Sequence, residues 1–232
     1  MEDGRPYAGW LYLGAAFIAA QLEPENHLKV VERFDISAGI VGPSSGAERL
    51  QRWTHEIIGT YAVNGWDNQL RDEPALLAGY ARKWAYIRPL GQSAIDWEMS
   101  GTLGGSLGNI TAQLVSGVEL RLGRALNSSV GISGVAPATA APHYSAPSGD
   151  SGWHLFADWQ LRFVSRDIFL DGNSDKESHS VEKAPRVGEW RFGLAFATGR
   201  YQWTLYHARR SREFVGQYEN ATFSGLGLTA RF

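Results

Sequence analysis

The feature that most constrains this chain is a period-two alternation of apolar and polar residues, sustained over segments longer than a soluble sheet uses. From Ile110 to Leu122 one set is Ile110, Ala112, Leu114, Val118, Leu120 and Leu122, and the other is Thr111, Gln113, Gly117, Glu119 and Arg121. From Trp153 the sets are Trp153, Leu155, Ala157, Trp159, Leu161 and Phe163 against His154, Asp158, Gln160 and Arg162. Trp190, Phe192, Leu194 and Phe196 alternate with Arg191, Gly193, Ala195 and Ala197. Leu226, Leu228, Ala230 and Phe232 alternate with Gly225, Gly227, Thr229 and Arg231. Successive side chains of a strand point to opposite faces, so each stretch is a strand with one apolar and one polar side. Weaker versions at about 7–20, 27–41, 75–88, 94–104 and 201–210 bring the expectation to about nine strands.

Many of these strands run to about ten residues or more, the length that crosses a bilayer at a tilt rather than the usual five or six. Their polar faces mix full charges with Gly, Ala and Ser, which suits a wet or hydrogen-bonded lumen. Aromatic residues near strand ends (Tyr7, Trp84, Tyr86, Trp153, Trp190, Tyr201, Trp203) fit an interfacial girdle, and Phe232 closes the last strand. The expected fold is therefore all-β, a transmembrane antiparallel β-barrel. A soluble sandwich has the same alternation, with its apolar faces packed on each other, and predicts a protein that stays in solution without detergent.

Composition narrows the field. One domain spans residues 1–232, since nothing shifts sharply enough to mark a boundary. A net charge of -2 gives no basic field for nucleic acid. The chain has no cysteine, which excludes disulfides and thiolate metal sites. No run reaches the roughly 18 to 20 apolar residues of a membrane-spanning helix, the nearest being Trp10 to Ala20. The start shows no secretory signal. Nine is an odd number, whereas single-chain bacterial barrels have an even one, so the expectation is a barrel domain lacking its first strands. Counting back from Phe232 makes Gly199-Arg200 and Pro89 to Ser93 short periplasmic turns, and sends the long loops at about 42–74 and 167–185 outward. The Ala125 to Gly152 stretch breaks this rule, since the same count makes it periplasmic despite its length, and it is read as a flexible insertion of no assigned function.

One short helix is expected, Ala47 to Ile58, in the first outward loop. Ser45 with Glu48 spells a capping box and Gly59 a stop. Leu50, Trp53 and Ile57 form an apolar stripe expected to pack on something. Gln51 and His55 stand one turn apart on a neighbouring face, so the helix presents an amide and an imidazole together. A histidine on such a helix is more often a surface or capping residue than a catalyst. The chain has no GxSxG elbow, HExxH, EF-hand loop or phosphate-binding glycine loop. His143 and His179 fall in loops without ligand-like neighbours. Arg166 to Asn173 offers carboxylates to a cation but reads more readily as a strand end and turn.

Several stretches carry a resemblance. Arg5-Pro6-Tyr7-Ala8-Gly9-Trp10, Gly42-Pro43 to Gly59 with Gln51-x-x-x-His55, Gly65-Trp66-Asp67-Asn68-Gln69-Leu70, and Arg166 to Asn173 followed by Ser178-His179-Ser180 occur in order over essentially the whole chain. Together they resemble the lipid A deacylase (LpxR-like) family. The resemblance implies a twelve-stranded outer-membrane barrel, acting as a monomer, that removes the 3'-O-acyl chain of lipid A in lipopolysaccharide. It implies a catalytic histidine at His55, a supporting glutamine at Gln51 and dependence on calcium. The family's Asn-Asp pair on its first strand and a hydroxyl residue on its second have no counterpart here. An acidic residue that the family carries after the helix aligns near Tyr61. No metal ligands are assigned, and residues 1–232 alone are expected to be inactive. The alternative is a non-catalytic barrel serving as a pore or surface-binding protein.

Overall fold

The computed structural model describes residues 4–61, 65–128 and 151–230. Nine antiparallel strands follow one another in chain order in a single sheet. They are β1 (Trp10–Glu23), β2 (Leu28–Val41), β3 (Glu73–Pro89), β4 (Asp96–Gly108), β5 (Thr111–Arg124), β6 (Gly152–Asp167), β7 (Arg186–Thr198), β8 (Tyr201–Arg210) and β9 (Ala221–Ala230). Every expected strand is present, the longest with 17 residues and the shortest with 10. Among the described residues β1 pairs only with β2 and β9 only with β8, so the curled sheet is open between its first and last strands. Phe232, His143 and most of the Ala125 to Gly152 stretch lie outside the described residues.

The distribution of charge across the sheet decides between barrel and sandwich. On β5 the apolar set Leu114, Val118, Leu120 and Leu122 is exposed, while Thr111, Gln113, Glu119 and Arg121 are buried. The same inversion holds on β7 and β9, where Trp190 is 62% and Leu226 72% exposed. A sandwich buries its apolar faces, whereas this sheet turns them outward, as a wall solvated by lipid does. Among the described residues no helix is long and apolar enough to cross a membrane.

Inside the curl the polar set is joined into networks. Lys83 on β3, 1% exposed, reaches Glu98 of β4 and Glu119 of β5, each at 2.9 Å. Arg121 closes the set on Glu98 through its Nε at 2.9 Å and a second short contact from Nη2. Arg191 pairs with Asp158 at 2.8 Å, and Arg162 and Arg210 both hold Glu189. Desolvated charges persist only when paired in this way.

One ion pair faces outward instead. Arg82 and Glu32 are directly opposite on β3 and β2, 3.8 Å apart, and the Tyr80 hydroxyl donates to Glu32. Charges on a lipid-facing wall cost up to about 2–4 kcal/mol near the bilayer midplane. The Glu32→Leu/Arg82→Leu double variant is therefore expected to unfold in urea, from lipid vesicles, at a concentration no lower than the wild type.

The two ends of the sheet differ. One end carries the turns 24–27, 90–95 and 199–200 and the 125–151 connection, and the other carries the short 109–110 turn and the long connections 42–72, 168–185 and 211–220. The first of these holds α1 (Ala47–Ile58), as expected, and the second a single-turn α2 (Ile168–Asp171). Two expectations for α1 are overturned. Its N-cap is Gly46, because Ser45 belongs to a preceding 3-10 turn, where its hydroxyl donates to the Gly42 carbonyl at 2.6 Å and accepts only a long bond, 3.4 Å, from the Ala47 N–H. Glu48 bonds Arg52 rather than the cap. The apolar stripe is uncovered, with Leu50 63%, Trp53 59% and Ile57 64% exposed, so amphipathic spacing here marks a face that no described part of the chain covers. Leu50→Ala and Ile57→Ala should each change the unfolding free energy by no more than about 0.5 kcal/mol. Gly59 ends the helix as expected, in the left-handed region with φ 66°.

Candidate active site at the sheet rim

The loop-bearing rim is built on a small apolar cluster of Val41, Leu70, Ala75, Leu77, Ile110 and Ile168, with Ala8, Trp10 and Phe169 packed against it. Arg5 to Gly9 crosses this cluster and is tied down by backbone bonds from Leu70 to the Tyr7 carbonyl and from Gly42 to the Gly9 carbonyl, both 2.9 Å. Ser44 donates to Asp72 through both its backbone N–H, at 2.8 Å, and its hydroxyl, at 2.6 Å, fastening the approach to α1 to the foot of β3. These two bonds hold the Asp72 carboxyl below its ordinary range. A carboxyl whose folded pKa is depressed stabilises above its unfolded pKa and loses that contribution as pH falls through the folded one. The fastening therefore weakens only below the ordinary carboxylate value of 3.8.

The Arg166 to Asn173 stretch is structural. Asp167 caps α2 by accepting from the Phe169 N–H at 2.9 Å, and Arg166 donates to the carbonyls of Asn109 and Gly172. Asn173 bonds Arg71 and Glu73, and Ser178 accepts from the Asn173 N–H. Asp171 is paired with Lys183 at 2.7 Å. The carboxylates that the sequence offered to a cation are thus committed to a cap and an ion pair.

Above this platform lies a cleft of about 1130 Å³, walled by Tyr7, Gln51, Trp66, Phe169, His179 and Tyr218. Gln51 borders it directly, half-buried, and its Oε1 accepts from the Trp66 indole Nε1 at 2.7 Å. His55 stands one turn further along the same face of α1, also half-buried, with Nδ1 2.7 Å from the backbone carbonyl of Tyr61. A carbonyl only accepts, so Nδ1 carries a proton, and in the neutral ring the lone pair then lies on Nε2. The sequence located the amide and the imidazole but not what orients them. Trp66 had appeared only as part of a motif, and the Tyr61 carbonyl has no side-chain signature. His179, which the sequence left without a neighbour, lines the cleft and bonds the Gly4 carbonyl through Nε2 at 2.7 Å.

The comparisons with known proteins agree with the fold. A family model described as "Outer membrane protein LpxR" matches residues 1–232. The chain belongs to the LpxR family. Among solved structures it is similar to LpxR from Salmonella typhimurium, with a TM-score of 0.82 and 18% identity, over 100% of this chain and 77% of that one. At that identity the likeness shows the fold. No curated protein sequence matches. Membership places this LpxR-family barrel in the bacterial outer membrane and gives it a lipid A deacylase type of function. Among the described residues no three His, Asp or Glu side chains converge, and no ligands are assigned to the calcium that the resemblance implies.

Proposed function

We propose that this LpxR-family protein hydrolyses the ester-linked acyl chain at the 3' position of lipid A, with His55 as general base and Gln51 as hydrogen-bond donor to the substrate. The observation that carries the reading is the Tyr61 carbonyl on His55 Nδ1, which orients the ring and, in the neutral tautomer, presents the Nε2 lone pair to a water molecule. Nε2 takes a proton from water as its oxygen bonds to the ester carbonyl carbon. Collapse of the tetrahedral intermediate breaks the bond to the sugar oxygen, which receives the proton from His55. A fatty acid and a free sugar hydroxyl are the products.

The carbonyl oxygen becomes an oxyanion along this path and needs a donor already in place. Gln51 meets that need from the cleft wall, and the apolar rings of Tyr7, Trp66 and Phe169 suit an acyl chain. Removing one such donor elsewhere costs about 10²–10³ in kcat, and Gln51→Leu is expected to fall in that range. No step is routed through calcium. Calcium dependence is kept as a proposal about the protein expressed from its native gene, and acyl release that survives EDTA would remove it.

The test is release of fatty acid from purified lipid A by that protein in detergent. Hydrolysis of the 3' ester supports the reading. A folded barrel that releases nothing sinks it and favours a non-catalytic, surface-binding barrel.

A further inference from the structure

The geometry points to Trp66 as the positioning residue that fixes which end of the Gln51 amide faces the cleft, an inference that rests on the deacylase reading for its consequence but not for its bond. The oxygen and nitrogen of a glutamine amide are close in size, and a half-turn about its last torsion exchanges them. A partner that can only donate removes the ambiguity. The indole N–H is such a partner, so at 2.7 Å the Gln51 atom that faces it is Oε1. The NH2 group, with its two donors, is then turned away from Trp66, on a side chain that borders the cleft.

Trp66 is itself immobile. It is buried, and its ring meets Tyr7 edge-on, with centroids 5.5 Å apart and planes at 60°. Gly65 precedes it at φ 141°, where a Cβ would come within 2.5 Å of the Tyr7 ring, so only glycine lets the two aromatic residues approach. The turn closes with bonds from Asn68 to the Gly65 carbonyl and from Gln69 to the Trp66 carbonyl, both 3.1 Å. Leu70, the next residue, donates its backbone N–H to the Tyr7 carbonyl. The Gly65-Trp66 and Pro6-Tyr7 motifs therefore form one rigid unit whose outward product is the direction of the indole N–H.

The chemistry requires this direction. A developing oxyanion is stabilised by donors that need no reorientation during the reaction. A freely flipping Gln51 would offer its own oxygen part of the time, opposing the charge that forms. Locking the amide removes the wrong orientation. It acts on the transition state and leaves the acyl-chain contacts of the ground state unchanged.

Trp66→Phe keeps a ring against Tyr7 and deletes the donor. In the protein expressed from its native gene it is expected to lower kcat about tenfold, the scale of one hydrogen bond, with a smaller change in KM from the trimmed ring. In the same detergent-solubilised protein, the Trp66 indole ¹H–¹⁵N resonance, assigned by its loss in Trp66→Phe, is expected to move upfield in Gln51→Leu. Heat-modifiable gel migration establishes that each variant forms its barrel. An indole resonance that does not move overturns the inference whether or not the protein hydrolyses lipid A. An unchanged kcat in a folded Trp66→Phe also overturns it. Absence of acyl release from the wild type would count against the deacylase reading alone, and the resonance would still decide how the amide is held.

Discussion

Glu98→Leu is expected to lower the unfolding free energy by about 3–5 kcal/mol, the cost of stranding a buried charge. Glu98 is fully buried and is shared by Lys83 and Arg121, which are 1% and 3% exposed. Removing it strips a carboxylate from both cations, which keep their contacts with Glu119. Lipid lies on the other side of the wall, so neither cation can relax outward into water. Adding Arg121→Met to Glu98→Leu restores the balance, leaving Lys83 paired with Glu119, and should recover most of the loss. Urea unfolding from lipid vesicles measures both variants. A loss below about 1 kcal/mol for Glu98→Leu would mean that the interior is well hydrated and the network weak.

His55→Ala is expected to reduce acyl release by about 10²–10⁴, the usual contribution of a general base, while barrel assembly stays intact. The side chain is only half-buried and its bond runs to a nearby loop carbonyl, so stability has little to lose. The orienting group makes a sharper prediction. Because the partner of Nδ1 is the backbone of Tyr61, Tyr61→Ala should retain activity even though it replaces the residue beside the position where the family carries an acid. Loss of kcat in Tyr61→Ala comparable to that in His55→Ala would show that the phenol ring, rather than the carbonyl, supports the reaction.

The strands were legible because lipid enforces a strict period of two. Leu114 and Glu119 report opposite solvents, and no tertiary neighbour competes for the outward residue. The helix was legible for the same kind of reason, as was its stop at Gly59. Its start was not, because a left-handed Gly46 inserts a 3-10 turn ahead of the helix and moves Ser45 out of the N-cap position. The stripe Leu50, Trp53 and Ile57 announced an apolar face but carried no information on what covers it. The interior networks join residues far apart in the chain, Lys83 with Glu119 for example, and no local pattern encodes such a pairing. At the site, Gln51 and His55 stood out by spacing and family resemblance. The groups that aim them did not, since one is a main-chain oxygen and the other an indole fifteen positions away.

Mass spectrometry of lipid A from cells carrying the native gene, or the same gene with His55→Ala, tests the central claim most directly. The account predicts lipid A lighter by its 3'-linked acyl chain with the native gene, and fully acylated lipid A with the variant although its barrel reaches the outer membrane. Equal trimming by the variant would contradict it.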